Sequence, residues 1–281
     1  MKREMFVNIH ISVKTEVFEI FYGMLYNYKF VGVEEQFDKL IVCFKLDEWE
    51  RIKEHFYESM KLVSDIAQIE KEEKMHEKNW NEEWEKNLKP FVISERIGIS
   101  PSVHLDKLNT EIKLIINPKM SFGTGEHSTT RLSCALLEKV LKPNTNWVDV
   151  GTGTGVLAIL AAKLGAAKIL AFDNNYWSID NAVENVQLNR VENLIDVFEA
   201  DIETYNFPEC DGITANLFSS LLLPSIPKFY EALKNNKGDL ILSGILKYDV
   251  EDIKSKAKET GFVLKQEIYD EEWAGLHFVI E

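Results

Sequence analysis

Cysteine, long apolar runs and metal-binding patterns are scarce or missing in this sequence. The three cysteines, Cys43, Cys134 and Cys210, are odd in number and far apart, which argues against a disulfide framework and for reduced thiols. No apolar run approaches the roughly 20 residues that span a bilayer, and the charged N-terminus lacks the apolar core of a secretory signal. The six histidines show no metal-ligand spacing. We therefore expect a cytoplasmic protein without a metal site and without membrane association.

Clustered positive charge is missing as well. The chain has 32 Lys and Arg against 46 Asp and Glu, a net charge of −14. Proteins that bind the nucleic-acid backbone need a basic stripe or patch, so we expect no direct contact with nucleic acid. A basic protein is an electrostatically easier partner for an acidic chain.

The order of short segments predicts three parts. Residues 1–72 follow a β-α-β-β-α-β order, which is typical of a small α+β ferredoxin-like domain. Its predicted elements are strands at 5–13, 31–36, 39–46 and 62–70, a helix over 14–28, and a second helix with Asp47 as N-cap. Residues 73–90 are highly charged and carry Trp80 and Trp84 on one helical side, which predicts a linker helix and leaves a partner-binding surface as the alternative.

The third part, residues 91–281, alternates strands and helices from about residue 110. Repeated strand–helix units require a mainly parallel sheet with helices on both faces. Two strand-like runs close the chain, at 262–270 and 273–281, with no helix between them. We therefore predict an α/β, Rossmann-like sheet with an antiparallel terminal edge.

A glycine-rich loop follows the strand NWVDV. Gly151, Gly153 and Gly155 spell GxGxG, whereas a dinucleotide fingerprint would place its third glycine at 156, which is Val156. No Lys-Ser/Thr pair follows to make a phosphate-cradling Walker loop. The loop therefore allows the backbone to approach a ligand closely without requiring a phosphate.

Two carboxylates lie at the ends of neighbouring predicted strands. Asp173 ends the strand after the glycine loop, where it can accept hydrogen bonds from both hydroxyls of a ribose. Asp149 lies at the carboxyl end of the preceding strand and favours a cation or an ammonium group. A ribose, an amino acid moiety and a positive centre, without phosphates, describe S-adenosylmethionine.

These segments resemble the class I methyltransferases, and further motifs narrow the resemblance. NPKMSFGTGEHSTTRL (117–132), ITANLFSSLL (213–222), NWNEEWEKNLKP (79–90) and LSGIL (242–246) are similar to the ribosomal protein L-eleven methyltransferase family. The motifs are specific from about residue 77 onward, while over the first 75 residues only the element order matches. The resemblance implies a substrate-recognition domain, a linker helix and a methyltransferase domain.

The resemblance also implies an activity and its residues. The expected enzyme transfers methyl groups from S-adenosylmethionine to lysine side chains or the N-terminal amine of a large-subunit ribosomal protein, and we expect it to be a monomer. Carried over by position, the cofactor contacts fall on Thr130, Gly151, Gly153, Asp173 and Asn216. Asn216 and the carbonyl of Leu217 are the expected catalytic groups, because they can orient the amine.

Some residues depart from the family pattern or admit two interpretations. Residues 217–221 are Leu-Phe-Ser-Ser-Leu where Ile-Leu-Ala-Gly-Pro is usual, which leaves the target amine open. Phe218 is either a cation–π partner for a methylated ammonium or a core or lid aromatic. His127 either relays a proton or braces its loop.

Three other functions stay open at the level of sequence. They are a class I methyltransferase for another protein or small-molecule amine, an NAD-dependent oxidoreductase, and a non-catalytic ribosome-assembly module. Val156 argues against the oxidoreductase because it occupies the position of the third fingerprint glycine.

Overall fold

The computed structural model describes residues 5–25, 28–76, 89–118 and 126–281. The chain divides into two compact units, Met1–Trp80 and Asn81–Glu281. Residues 119–125 of the motif 117–132 and most of the predicted linker helix lie outside the described residues. Within the described part, no helix is long and apolar enough to cross a membrane.

The first unit has the predicted ferredoxin-like order. Its elements are β1 (Met5–Val13), α1 (Phe18–Leu25), β2 (Gly32–Gln36), β3 (Lys39–Lys45), α2 (Leu46–Leu62) and β4 (Ala67–His76). The strands form one sheet in the order β2-β3-β1-β4, and every neighbouring pair is antiparallel. Alternate residues of β1, among them Val7, Ile9 and Ile11, are buried. They pack with Trp49 and Phe56 of α2.

Two details of this unit differ from the sequence prediction. The helix α2 begins at Leu46 with Lys45 as N-cap, so the prediction that Asp47 is the N-cap is wrong. Asp47 instead lies in the first turn, where an acidic side chain favours the helix dipole. The strand β4 begins five residues later than expected and continues through His76. Residues 73–76 are therefore strand, and they do not belong to the linker helix.

The described part of the second unit begins with a small three-stranded sheet. It comprises β5 (Phe91–Val92), β6 (Ile97–Ser100) and β7 (Ile112–Ile115), in that order. The sequence pattern predicted the third of these strands but missed the first two. The first has only two residues and carries no periodicity, and all four residues of the second are buried, so it lacks the apolar–polar alternation of a half-buried strand.

The rest of the second unit alternates strands and helices around one large sheet. Its helices are α3 (Ser128–Val140), α4 (Val156–Lys163), α5 (Tyr176–Leu188), α6 (Ser219–Leu233) and α7 (Val250–Thr260). The strands of the sheet are β8 (Asn146–Val150), β9 (Lys168–Asp173), β10 (Ile195–Glu199), β11 (Gly212–Asn216), β12 (Asp239–Leu246), β13 (Val263–Asp270) and β14 (Trp273–Val279).

The strand order is β10-β9-β8-β11-β12-β14-β13. The first five strands are parallel, and β14 inserts antiparallel between β12 and β13. This arrangement confirms the predicted α/β methyltransferase-like sheet with an antiparallel terminal edge. The order reverses between β8 and β11, which is the switch point at which open α/β sheets bind ligands.

Both faces of this sheet are covered, as its apolar strands require. Along β12, Leu240 and Leu242 pack into a cluster with α6 and α7, whereas Ile241 packs into a cluster with α3 and α4. The side chains of successive strand residues point to opposite faces. The two helical layers therefore fix the sheet from both sides and leave its carboxyl edge open.

Asn185, near the end of α5, and Asn189, just after it, connect the end of β7 and the residues that follow it to the glycine loop. Asn189 bonds both the N–H and the carbonyl of Ile115, at 3.0 and 2.6 Å. Asn185 accepts from the Asn117 N–H at 2.9 Å and donates to the Thr154 carbonyl at 2.9 Å. Because residues four apart share one helix face, these side chains link the approach to α3 with the loop after β8.

Candidate active site

The glycine loop turns the chain between β8 and α4. Gly151, Gly153 and Gly155 have φ of 69°, 54° and 82°, a left-handed conformation that glycine adopts without steric cost. A Cβ on Gly151 would lie 2.5 Å from Cδ2 of Leu217. The backbone of this loop therefore passes close to the end of β11, with no room for a side chain between them.

Asp173 at the end of β9 faces the same loop. Its Oδ2 accepts a hydrogen bond from the Gly153 N–H, and its Oδ1 accepts one from the Asn175 N–H, both at 3.0 Å. The carboxylate is half-buried. Two fixed amide donors orient it, and its remaining lone pairs are available to a bound diol.

Asp149 does not reach a ligand in the way the sequence suggested. It is 2% exposed, and its two oxygens accept hydrogen bonds from the hydroxyls of Thr152 and Thr214 at 2.6 and 2.7 Å. Burial raises the pKa of Asp149 to about 6, and the two hydroxyl bonds oppose that shift. These two bonds connect the glycine loop to β11 through a buried carboxylate. The expectation that Asp149 contacts a cation or an ammonium group is therefore wrong.

A cavity of about 530 Å³ opens at the carboxyl edge of the sheet. Its lining residues are His127, Thr129, Gly151, Gly153, Asp173, Asn174, Asn175, Ser178, Asn216, Leu217, Phe218, Gly244 and Trp273. None of these lining residues is a lysine or an arginine. The cavity thus offers a carboxylate and neutral acceptors, and its described lining has no lysine or arginine to pair with a phosphate.

The cavity brings together all but one of the sequence-predicted site residues. Gly151, Gly153, Asp173, Asn216 and Leu217 line it. The exception is Thr130, which is fully buried in α3. Its hydroxyl has no hydrogen-bond partner among the residues that the structure describes. The neighbouring Thr129 takes the place in the lining that was expected of Thr130.

Asn216 and Leu217 sit where β11 leaves the sheet. Asn216 is the last residue of the strand and pairs in register with Ser243 of β12. The Leu217 N–H donates to the Ser243 carbonyl at 3.1 Å. The amide of Asn216 and the carbonyl of Leu217 are therefore two consecutive acceptor groups on a backbone that β12 holds in place.

His127 serves as the N-cap of α3 while it lines the cavity. Its Nδ1 accepts from the Thr129 N–H at 3.3 Å and lies 2.8 Å from the Thr129 hydroxyl. Its ring packs at 64° to the ring of Trp273, with centroids 5.1 Å apart. The Thr129 N–H occupies Nδ1, so the neutral ring carries its proton on Nε2. This geometry supports the loop-bracing interpretation of His127.

Three lining residues have properties that periodicity alone does not reveal. Phe218 is 70% exposed, so it is not a core aromatic, and the interpretations as a lid or as a cation–π partner stay predictions. Trp273 and Gly244 were not predicted as site residues. Gly244 was visible in the motif LSGIL, and its φ of 80° requires glycine, whereas nothing near Trp273 in the sequence marked it.

A smaller cavity of about 70 Å³ adjoins the first. It shares Gly151, Asp173 and Leu217 with the larger one and extends to Ala200 and Ile202, just after β10. No role was predicted for this segment from the sequence. Among the described residues, no group of three or more His, Cys, Asp or Glu is arranged to hold a metal ion.

Comparison with known proteins identifies the family. The family model for ribosomal protein L11 methyltransferase (PrmA) matches residues 30–281. The chain belongs to this family. A ribosomal protein L11 methyltransferase of Chlorobaculum parvum is 34% identical over 273 residues, with 95% of this chain and 94% of that protein covered. The protein of that name from Chlorobaculum tepidum is 35% identical over 277 residues, with the same shares covered.

A solved structure agrees with this assignment. The ribosomal protein L11 methylase of Lactobacillus delbrueckii subsp. bulgaricus superposes with a TM-score of 0.63 at 28% identity, covering 68% of this chain and 98% of that one. The predicted family and the predicted class of enzyme, a protein methyltransferase, are confirmed. The similarity reaches further than the motifs did, since the family match begins at residue 30. The membership favours none of the three alternative functions.

Proposed function

We propose that this protein transfers methyl groups from S-adenosylmethionine to amino groups of ribosomal protein L11, on lysine side chains, on the N-terminal amine, or on both. The observation that carries the proposal is the composition of the large cavity. One oriented carboxylate, Asp173, and two neutral acceptors, on Asn216 and Leu217, line it without any lysine or arginine among the described lining residues. Membership of the ribosomal protein L11 methyltransferase family supports the same reaction.

The cavity fits a cofactor with a ribose, a positive centre and no phosphate. Asp173 would accept from the ribose hydroxyls, because its two oxygens face the loop and are fixed by the amides of Gly153 and Asn175. Gly151 and Gly153 would allow the backbone to lie against the ligand without a side chain between. Bound there, the cofactor supplies a methyl group activated by a sulfonium. The buried hydroxyl of Thr130 is a further polar group near this wall.

The acceptor amine must be neutral before it can attack the methyl carbon. A lysine has a reference pKa of about 10.4, so deprotonation at pH 7 costs roughly 4.6 kcal/mol. A nearby sulfonium and partial burial both lower the pKa of an amine and offset much of this cost. With the cofactor bound, the neutral nitrogen would accept the methyl group, the thioether form of the cofactor would leave, and the methylated ammonium would lose a proton to water before any further transfer.

Asn216 and Leu217 would orient that amine. The Oδ1 of Asn216 and the carbonyl of Leu217 can each accept one N–H of the amine, which leaves its lone pair directed at the methyl group. Alignment of this kind accounts for much of the rate of a displacement reaction. We assign no residue as general base, because the ring of His127 is engaged in capping α3.

The experiment is methyl transfer with defined acceptors. The purified chain is incubated with labelled S-adenosylmethionine and either purified ribosomal protein L11 or a pool of small-molecule amines, and the products are analysed by mass spectrometry. We expect mass increments of whole methyl groups on amines of ribosomal protein L11 alone. Label in the small-molecule pool with none in ribosomal protein L11 would overturn the acceptor assignment. Binding of the cofactor without transfer to either would favour a non-catalytic module.

A further inference from the structure

Within the described part of the second unit, the exposed aromatic side chains lie at one edge of its sheet. Among the described residues of that unit, the aromatics with the highest exposure are Tyr176, Trp177, Phe218, Tyr248 and Tyr269. The first four follow the carboxyl ends of β9, β11 and β12, and the last is the penultimate residue of β13. These strands all run in the same direction, so the five residues, here called the aromatic rim, share the carboxyl edge.

The exposed valines of the same unit have a different distribution. Val92 and Val103 belong to the segment around the three-stranded sheet, Val183 lies within α5, and Val263 begins β13 at the amino edge. The aromatic rim therefore does not follow from a general excess of apolar surface. Trp177, at 73% exposed, and Tyr248, at 77%, are the largest contributors. Clustered exposed aromatics mark surfaces that are buried by a partner.

The extent of the rim distinguishes a protein partner from a metabolite. Five strand spacings separate β9 from β13 in the sheet, and at about 4.8 Å each they span roughly 24 Å. An extended peptide covers that distance with about seven residues. A free amine small enough for the large cavity would contact only Phe218, the one member of the rim that lines it.

The charge at this edge specifies the chemistry of the partner. The segments that follow β10 and β12 (200–204 and 247–249) and the turn between β13 and β14 carry five carboxylates and one ammonium, namely Asp201, Glu203, Asp249, Glu271 and Glu272 against Lys247. Two cations from neighbouring helices also reach this edge, but both are engaged: Lys228 bonds the carbonyls of Ile202 and Glu203, and Arg131 pairs with Asp270. A negative surface repels a phosphate backbone and attracts a basic polypeptide. The flat faces of Trp and Tyr add favourable contacts to Lys and Arg side chains.

We propose that the aromatic rim docks a lysine- and arginine-rich segment of the substrate protein, next to the amine that enters the cavity. This proposal rests on the proposed function and deepens it, because it places part of substrate recognition on the methyltransferase unit itself. The rim holds the flanking chain by aromatic contact, and the carboxylates steer its approach.

The test is a calorimetric titration of the chain, saturated with S-adenosylhomocysteine, by purified ribosomal protein L11. The rim variant is Trp177→Ala/Tyr248→Ala, and the matched control is Val92→Ala/Val103→Ala, which removes exposed apolar side chains away from the edge. We expect the rim variant to bind roughly tenfold more weakly or worse and the control to stay within about twofold. Glu271→Gln/Glu272→Gln should slow association and weaken its salt dependence. Thermal unfolding and cofactor affinity check that each variant is folded.

The outcomes separate this proposal from the proposed function. Equal affinities of wild type and rim variant, or no binding of ribosomal protein L11 by the wild type, would overturn the docking proposal. A dimer in sedimentation that dissociates in the rim variant would assign the rim to a second copy, and tighter binding of an RNA duplex than of ribosomal protein L11 would assign it to nucleic acid. If ribosomal protein L11 binds in a rim-dependent way but receives no methyl group, the proposed function is wrong and the docking proposal stands. If it is methylated and the rim variant binds it with unchanged affinity, the docking proposal is wrong and the proposed function stands.

Discussion

The backbone of Gly244 lies against the carbonyl of Leu217. A Cβ on Gly244 would stand 2.4 Å from the Leu217 oxygen and 2.8 Å from its carbonyl carbon. Gly244 also has a φ of 80°. Because the Leu217 carbonyl is one of the two proposed acceptors for the substrate amine, the absence of a side chain on β12 determines where that acceptor can be.

Gly244→Ala should therefore damage both stability and catalysis. The left-handed backbone costs about 1–2 kcal/mol for any other residue, and the methyl group must displace the Leu217 carbonyl. We expect a fall in the free energy of unfolding of about 1–3 kcal/mol and a fall in kcat of roughly tenfold or more. Gly32→Ala is the matched control, since nothing lies within 4 Å of its added Cβ. Normal turnover of a folded Gly244→Ala protein would contradict the role of the carbonyl.

Asn216→Ala should lower kcat more than it weakens cofactor binding. The variant removes the Oδ1 that orients the amine, and a misplaced nucleophile costs on the order of 100-fold in rate. Single-turnover methyl transfer and calorimetric cofactor affinity are the two measurements. Asn235→Ala, which alters an exposed asparagine bonded to Glu209, is the control. A wild-type rate in Asn216→Ala would remove Asn216 from the mechanism.

Asp173→Ala should weaken the binding of S-adenosylmethionine by roughly 100-fold. Two charge-assisted hydrogen bonds to a ribose, at about 1.5 kcal/mol each, account for that factor. Isothermal calorimetry measures the change. The control is Asp196→Ala, which removes an exposed carboxylate paired with Lys168 away from the cavity. An unaltered dissociation constant for the cofactor in Asp173→Ala would show that this carboxylate does not hold the sugar.

The buried Asp149 should make the protein less stable as the pH rises from about 4 to 6. The pKa of an ordinary aspartate is 3.8, and burial raises that of Asp149 to about 6 in the folded chain. Between these values the folded state therefore binds more protons than the unfolded state. Stability is lost as pH rises through this window, by an amount on the order of 3 kcal/mol at neutral pH. Asp149→Asn keeps an acceptor for a Thr hydroxyl but cannot ionise.

The measurement is the difference in unfolding free energy between wild type and Asp149→Asn, by urea denaturation from about pH 4 to 7. The difference should shift in favour of the variant as pH increases and then level off above about pH 7. Asp211→Asn, just before β11, where Asp211 accepts from the Asn146 N–H of β8, controls for the loss of a carboxylate that links these two strands. A pH-independent difference for Asp149→Asn would mean that Asp149 is not buried as a titrating group.

The alternation of strands and helices, the glycine loop and most of the candidate site residues followed from the order of residues alone. Periodicity decides which segments are strands and helices, and closely spaced glycines mark the turn that must lack side chains. Since parallel strands bring their carboxyl ends to one edge, Gly151, Asp173 and Asn216 had to meet there. Periodicity and glycine spacing are local properties of the sequence, and the shared edge follows from the alternation of strands and helices along the chain.

Tertiary structure alone decided what each side chain faces. Asp149 and Asp173 both lie at strand ends, yet one is sealed beneath the loop by two threonine hydroxyls and the other faces the cavity. Thr129 and Thr130 are neighbours in one helix, and only the first lines the cavity. Trp273 joins the site because β14 inserts beside β12, a pairing between strands that no local pattern encodes. Burial and long-range packing set these outcomes, since they depend on segments far apart in the chain.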